Sequence, residues 1–154
     1  MSKTNLSTVQ SIFKFRKQIE ESRAIVLKNS KATLSSEEEK LEELEQKKCT
    51  MLSAEENVNE DKVELSLYQL QVCEDYQAQL DGMIVNQTSE VEKILQKVEI
   101  DRDLLNSAAM DKKAVEKLRE RRVAEDLKTK RRKEEKVESE IAIRVDAGKT
   151  RMVD

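Results

Sequence analysis

Histidine, proline and tryptophan are absent from this 154-residue chain, and glycine occurs only as Gly82 and Gly148. Without histidine, the chain lacks the commonest general base and metal ligand near neutral pH. Without proline, and with two glycines, neither a sheet protein nor a loop-rich enzyme has its usual turn residues. Aromatic residues make up 3% of the chain, so no large aromatic core can form. No apolar run approaches the roughly 18 residues that span a bilayer, so direct membrane insertion is not expected. The opening "MSKTNLSTVQSIFKF" has neither the continuous apolar core nor the small-residue cleavage site of a secretory signal. Cys49 and Cys73 are too few for a disulfide framework. These absences point to a cytoplasmic location and to no bound cofactor.

What is present is charge. Asp, Glu, Lys and Arg form 40% of the chain, with 32 acids against 29 bases. Such a composition fits either long helices and coiled coil or disorder. The spacing of apolar residues decides for helix. At this length one domain is expected, and large apolar residues are too few to fill a compact globular core.

Two helices are readable. Ser7 caps the first, over about residues 7–57. Its apolar side carries Val9, Ile12, Phe15 (or Phe13), Ile19, Val26, Leu34, Leu41, Leu44, Met51 and Leu52. The step from Ile19 to Leu41 fits two 11-residue units better than three heptads, which predicts a nearly straight stretch. The second helix, over about 60–146, is more regular. Leu80, Ile84, Gln87, Val91, Ile94, Val98, Asp101, Leu105 and Ala108 alternate steps of four and three, an a/d seam with two polar members that fix register. Asn57 and Asn59 suit a turn at about 57–60. Gly82 falls inside the second helix, and continuity is preferred through Ser35 and Ser36. Residues 147–154 read as a frayed tail after a helix-terminating Gly148.

At 1.5 Å per residue the helices would be about 75 Å and about 130 Å long. Folding back near residue 60 sets Leu41 opposite Leu80, Leu34 opposite Gln87 or Val91, and Ile19 opposite Asp101 or Leu105. The first helix then runs out near residue 112, and the rest of the second is an overhang. The expected fold is therefore all-α, a long two-helix antiparallel coiled coil (an α-hairpin) in which helix 2 overhangs.

The overhang is "MDKKAVEKLRERRVAEDLKTKRRKEEKVESEIAIRV", residues 110–145. Residues 112–136 hold 12 Lys or Arg against 6 Asp or Glu. Phosphate binding needs little beyond such a basic surface. The acids, however, are interleaved at helical spacing, no aromatic residue is present to stack on bases, and no nucleic-acid partner is expected. Val115, Leu118, Val123, Leu127 and Val137 form a stripe too narrow for an interfacial membrane helix. Protein docking is the preferred reading; a nucleic-acid-binding helical protein or a plain coiled-coil spacer are the alternatives.

Catalysis finds no foothold. "GKT" at 148–150 lacks the earlier glycine of a phosphate loop, because Ile143 stands there. Cys49 and Cys73, each 12 residues from a turn at about 61, would face each other, but two thiols make an incomplete metal site. In "LYQLQVCEDYQAQLDGMI", Tyr76, Leu80, Met83 and Gln87 share one helix face. Tyr68 and Tyr76 are the only tyrosines, and such residues favour interfaces.

Over nearly its whole length the chain resembles the FliJ family of flagellar export proteins. The likeness runs from "FKFRKQIEESRA" through "DYQAQLDGMI" and "VEKILQKVEIDRDLLNSAAMDKKAVEKLRERR" to "RRKEEKVESEIAIR". The resemblance implies a non-enzymatic coiled coil of the bacterial flagellar type III export apparatus, similar to the rotary stalk of F-type ATPases. Implied partners are a hexameric flagellar export ATPase, the large membrane component of the export gate, and export chaperones. The implied place is the cytoplasmic face of the inner membrane at the flagellar base. The ATPase site falls on the overhang, at Leu118, Arg121, Arg122, Val123, Leu127, Arg131 and Arg132. The gate site falls at mid-length, at Leu44, Tyr76, Leu80, Met83 and Gln87. "LEQKKCTMLSAEEN" has none of the aromatics that the family often places further along its first helix.

Overall fold

The computed structural model describes residues 6–60, 64 and 66–152, with the side chains of 59 and 60 left aside. It is all-α: helix α1 (Leu6–Glu60) and helix α2 (Leu67–Arg151) pack against each other, with no strand among the described residues. Asn57 through Glu60 are helical, so the turn expected at 57–60 lies instead between Glu60 and Leu67. Part of that connection, residues 61–63 and 65, falls outside the described residues.

Ser66 explains where α2 starts. Its hydroxyl accepts from the backbone N–H of Gln69 at 3.3 Å, while its own N–H donates to Gln69 Oε1 at 3.0 Å. This reciprocal pair satisfies two donors that the first turn leaves open. At the other end α2 reaches Arg151, so Gly148 lies within the helix and does not terminate it. Gly82 and residues 35–36 are also helical, as the spacing predicts.

Contacts divide the chain into two compact units: Met1–Glu20 with Ala108–Asp154, and Glu21–Ser107. In the Glu21–Ser107 unit the helices run antiparallel. Ser30 Oγ donates to Asp101 Oδ2 at 2.5 Å, Gln87 Nε2 to Glu37 Oε2 at 2.7 Å, and Lys48 Nζ pairs with Asp81 at 2.6 Å. Every α2 seam position from Leu80 to Leu105 is buried or half-buried, as expected. The α1 seam differs from its expected form. Leu27, Ser30, Leu34, Glu37, Leu41, Leu44, Lys48 and Met51 face α2 in steps of three and four, while Val26 and Leu52 are exposed. This is a heptad, not an 11-residue pattern; Ser30, Glu37 and Lys48 occupy seam positions that an apolar count passes over.

In the unit holding Met1–Glu20, Val9 is buried and Phe13 half-buried, whereas Ile12 and Phe15 are exposed. Phe13 carries the Arg119 guanidinium 4.4 Å above its ring. Arg16 pairs with Asp111 at 3.2 Å, and Glu20 with Lys112 at 2.6 Å. The last half-buried residue of α2 is Arg122. The uncovered part thus begins near Val123, not near residue 112. The reason is the later turn: Asp101 meets Ser30 where Ile19 was expected, and Gln87 meets Glu37 where Leu34 was expected.

The apolar core is thin. Among the described residues only Val9, Leu27, Leu80, Val98 and Ala108 are buried hydrophobics. Full burial of a Val or Leu stabilises by about 1.5–3 kcal/mol, so the polar pairs across the seam matter for register.

Candidate docking surfaces

The first surface lies at the start of α2, in the Glu21–Ser107 unit. Leu67 is 84% exposed and Tyr68 76%, high values for large apolar side chains on an ordered helix. Tyr68, Val72 and Tyr76 follow one another at i, i+4 and i+8, and Met83 continues the same face. All four are exposed and together form a stripe that flanks the seam. On the other side, Leu70 and Cys73 join Met51, Ala54, Glu55 and Val58 around a cleft of about 360 Å³. Tyr76 also borders a shallow groove with Glu43, Gln46, Lys47 and Met51.

The five gate-site residues are not equivalent. Tyr76 and Met83 stand in solvent. Leu80, only 2% exposed, is a seam residue that supports the helix pair and presents no surface. Leu44 is half-buried in the α1 seam. Gln87 is held by Glu37, donating from Nε2 to both its backbone carbonyl at 3.0 Å and its carboxylate at 2.7 Å. Spacing alone put Tyr76, Leu80, Met83 and Gln87 on one broad face; burial separates its outer edge from its inner one. Sequence reasoning left Val72 and Leu67 out, although the repeated step of four in "YQLQVCEDY" carries the signal.

Glu37 also accepts from Lys40 Nζ at 2.7 Å. Its carboxyl is held below the ordinary glutamate range, first by the hydrogen bond from Lys40 and then by that from Gln87. The cysteines do not face each other: Cys49 is exposed, and Cys73 opens on the Met51, Ala54 and Val58 cleft. Among the described residues no group of His, Cys, Asp or Glu is arranged to hold a metal.

The second surface is the end of α2. From Val123 to Met152 every described residue is exposed, yet helix persists to Arg151. Val123, Leu127, Val137 and Ile141 keep an apolar stripe along it. Lys128, Lys130, Arg131, Arg132 and Lys133 have no ion-pair partner among the described residues. Of the expected ATPase-site residues, Val123, Leu127, Arg131 and Arg132 lie in this uncovered segment. Leu118, Arg121 and Arg122 instead lie alongside the stretch that α1 covers, with Arg122 paired to Glu125 at 3.1 Å.

A family model described as "Flagellar FliJ protein" matches residues 5–150. The chain belongs to the FliJ family. It is therefore a component of the flagellar export apparatus, from a family of non-enzymatic helical proteins. No curated protein and no solved structure matches the chain. Among the described residues no helix is long and apolar enough to cross a membrane.

Proposed function

We propose that this FliJ-family chain is a non-enzymatic stalk linking the export ATPase ring to the membrane export gate at the cytoplasmic face of the inner membrane. The observation that carries the reading is the uncovered end of α2. A helix exposed on every side gains nothing within its own chain from Val123, Leu127, Val137 and Ile141. A protein partner that covers this stripe gives it a role, and the unpaired bases beside it guide the encounter more than they hold the complex.

On this reading Val123, Leu127, Arg131 and Arg132 contact the ATPase directly, with Leu118, Arg121 and Arg122 at the margin. Tyr76 and Met83 contact the gate, while Leu80, Leu44 and Gln87 keep the helix pair in the register that presents them. Export chaperones are further partners in this proposal. The gate half is tested by measuring binding of the full chain to the cytoplasmic part of the gate's large component. Tyr76→Ala with Met83→Ala is expected to weaken that binding at least tenfold, and Leu52→Ala, an exposed change elsewhere, to leave it unaltered. Equal binding by both variants overturns the gate assignment.

A further inference from the structure

We propose that the stripe at the start of α2 receives the basic end of α2 from a second copy of this chain, in a head-to-tail contact. The proposal goes beyond the stalk reading, although both use the end of α2 and Tyr76.

Three observations lead to it. The first is charge. Residues 54–75 hold seven Asp or Glu against Lys62 alone, whereas 128–133 ("KTKRRK") hold five bases and no acid. Glu55, Glu56, Glu64, Glu74 and Asp75 at one end have no ion-pair partner among the described residues, nor do the five bases at the other. Glu125, Asp126, Glu134 and Glu135 flank the basic run, but no direct ion pair to either cluster forms among the described residues, and the two runs have opposite sign. Opposed patches of this kind favour encounter and fix orientation.

The second is apolar exposure. Leu67, Tyr68, Val72 and Tyr76 stand in solvent beside Asp75, and Glu74 borders the adjoining cleft. Grouped apolar exposure rimmed by charge marks a protein-docking surface. A partner for it needs apolar side chains flanked by bases, and the end of α2 has that chemistry.

The third is spacing. Tyr68, Val72 and Tyr76 form a ridge with steps of four, and so do Val123, Leu127 and the aliphatic stem of Arg131. Ridges of this kind interdigitate in the commonest helix-on-helix crossing, and an Arg stem covers apolar surface while its charge stays wet. The contact joins two different surfaces and is therefore heterologous. Its small area makes it weak and dependent on salt.

Sedimentation velocity of the full chain over a concentration series, at about 50 mM and about 300 mM salt, tests this. The expected result is a sedimentation coefficient that rises with concentration at low salt and stays at the monomer value at high salt. Two charge-reversed chains sharpen the test. Glu74→Lys with Asp75→Lys, and Arg131→Glu with Arg132→Glu, are each expected to remain monomeric alone. Mixed, they are expected to associate again, because each reversed patch then meets a complementary one. All four sites are exposed, and helical circular dichroism verifies that both variants fold. A wild-type chain that stays monomeric throughout overturns the proposal. So does association surviving the Arg131 and Arg132 reversal, which means stripe-on-stripe pairing. Association surviving the Glu74 and Asp75 reversal means pairing between α2 ends, and overturns it too. No ATPase or gate protein is present, so these outcomes are read separately from those of the stalk proposal.

Discussion

At the residue scale, the polar members of the seam decide the register. Asp101 is 8% exposed, and its carboxylate accepts from Ser30 Oγ at 2.5 Å. Removing that donor leaves a buried carboxylate with one partner fewer, which costs about 1–3 kcal/mol. Ser30→Ala is therefore expected to destabilise by about that amount in urea unfolding, and Ser30→Ala with Asp101→Leu to regain most of it. Gly82 gives a change of opposite sign. It lies exposed within α2, and a Cβ there would meet nothing within 4 Å. Gly82→Ala is expected to stabilise by about 0.5–1 kcal/mol, read as a higher urea midpoint. Glu37 sets a pH dependence. Because folding lowers its pKa, through Lys40 first and Gln87 second, its contribution is complete above the ordinary glutamate value. That contribution is lost as pH falls through the lowered value. Glu37→Gln is expected to flatten this part of the acid limb in unfolding measured at a series of pH values.

At the element scale, legibility in the sequence followed the purity of the pattern. The α2 seam from Leu80 to Ala108 was legible throughout, including Gln87 and Asp101, because apolar residues bracket each polar one. The α1 seam was not, since Ser30, Glu37 and Lys48 hide the heptad, and the exposed Ile12, Phe15 and Val26 mimic another period. The turn was misplaced for a related reason. Asn59 followed by Glu60 and Asp61 resembles a helix start, but the cap that forms is the pair of Ser66 and Gln69. A few residues of error at the turn displaced the expected cross-helix partners along α1 and the start of the uncovered segment along α2. Ser66→Ala is expected to cost about 0.5–2 kcal/mol of stability in thermal or urea unfolding. Hydrogen exchange would show faster amide exchange in the first turn of α2, where the lost acceptor served Gln69 N–H.

At the scale of the whole molecule, the fold class and the family were both legible: composition excluded sheets and catalytic histidine, and the order of segments along the chain carried the resemblance. The surfaces were legible only in part. Spacing gathers Tyr76, Leu80, Met83 and Gln87 on one face, but burial alone tells that Leu80 supports the fold and Tyr76 meets solvent. At the end of α2, sequence reasoning found the basic, sparsely apolar segment and set its start too early. What unites the molecule is a helix pair, held in register by a few polar contacts, that leaves one helix end uncovered. The measurement that tests the stalk proposal most directly is ATP hydrolysis by the flagellar export ATPase, titrated with the full chain and with Arg131→Glu, Arg132→Glu. The expected result is a saturable rise in rate with the natural chain and little or none with the variant, both folded by circular dichroism. An unchanged rate with the natural chain, or an equal rise with the variant, would contradict an ATPase contact at the uncovered end of α2.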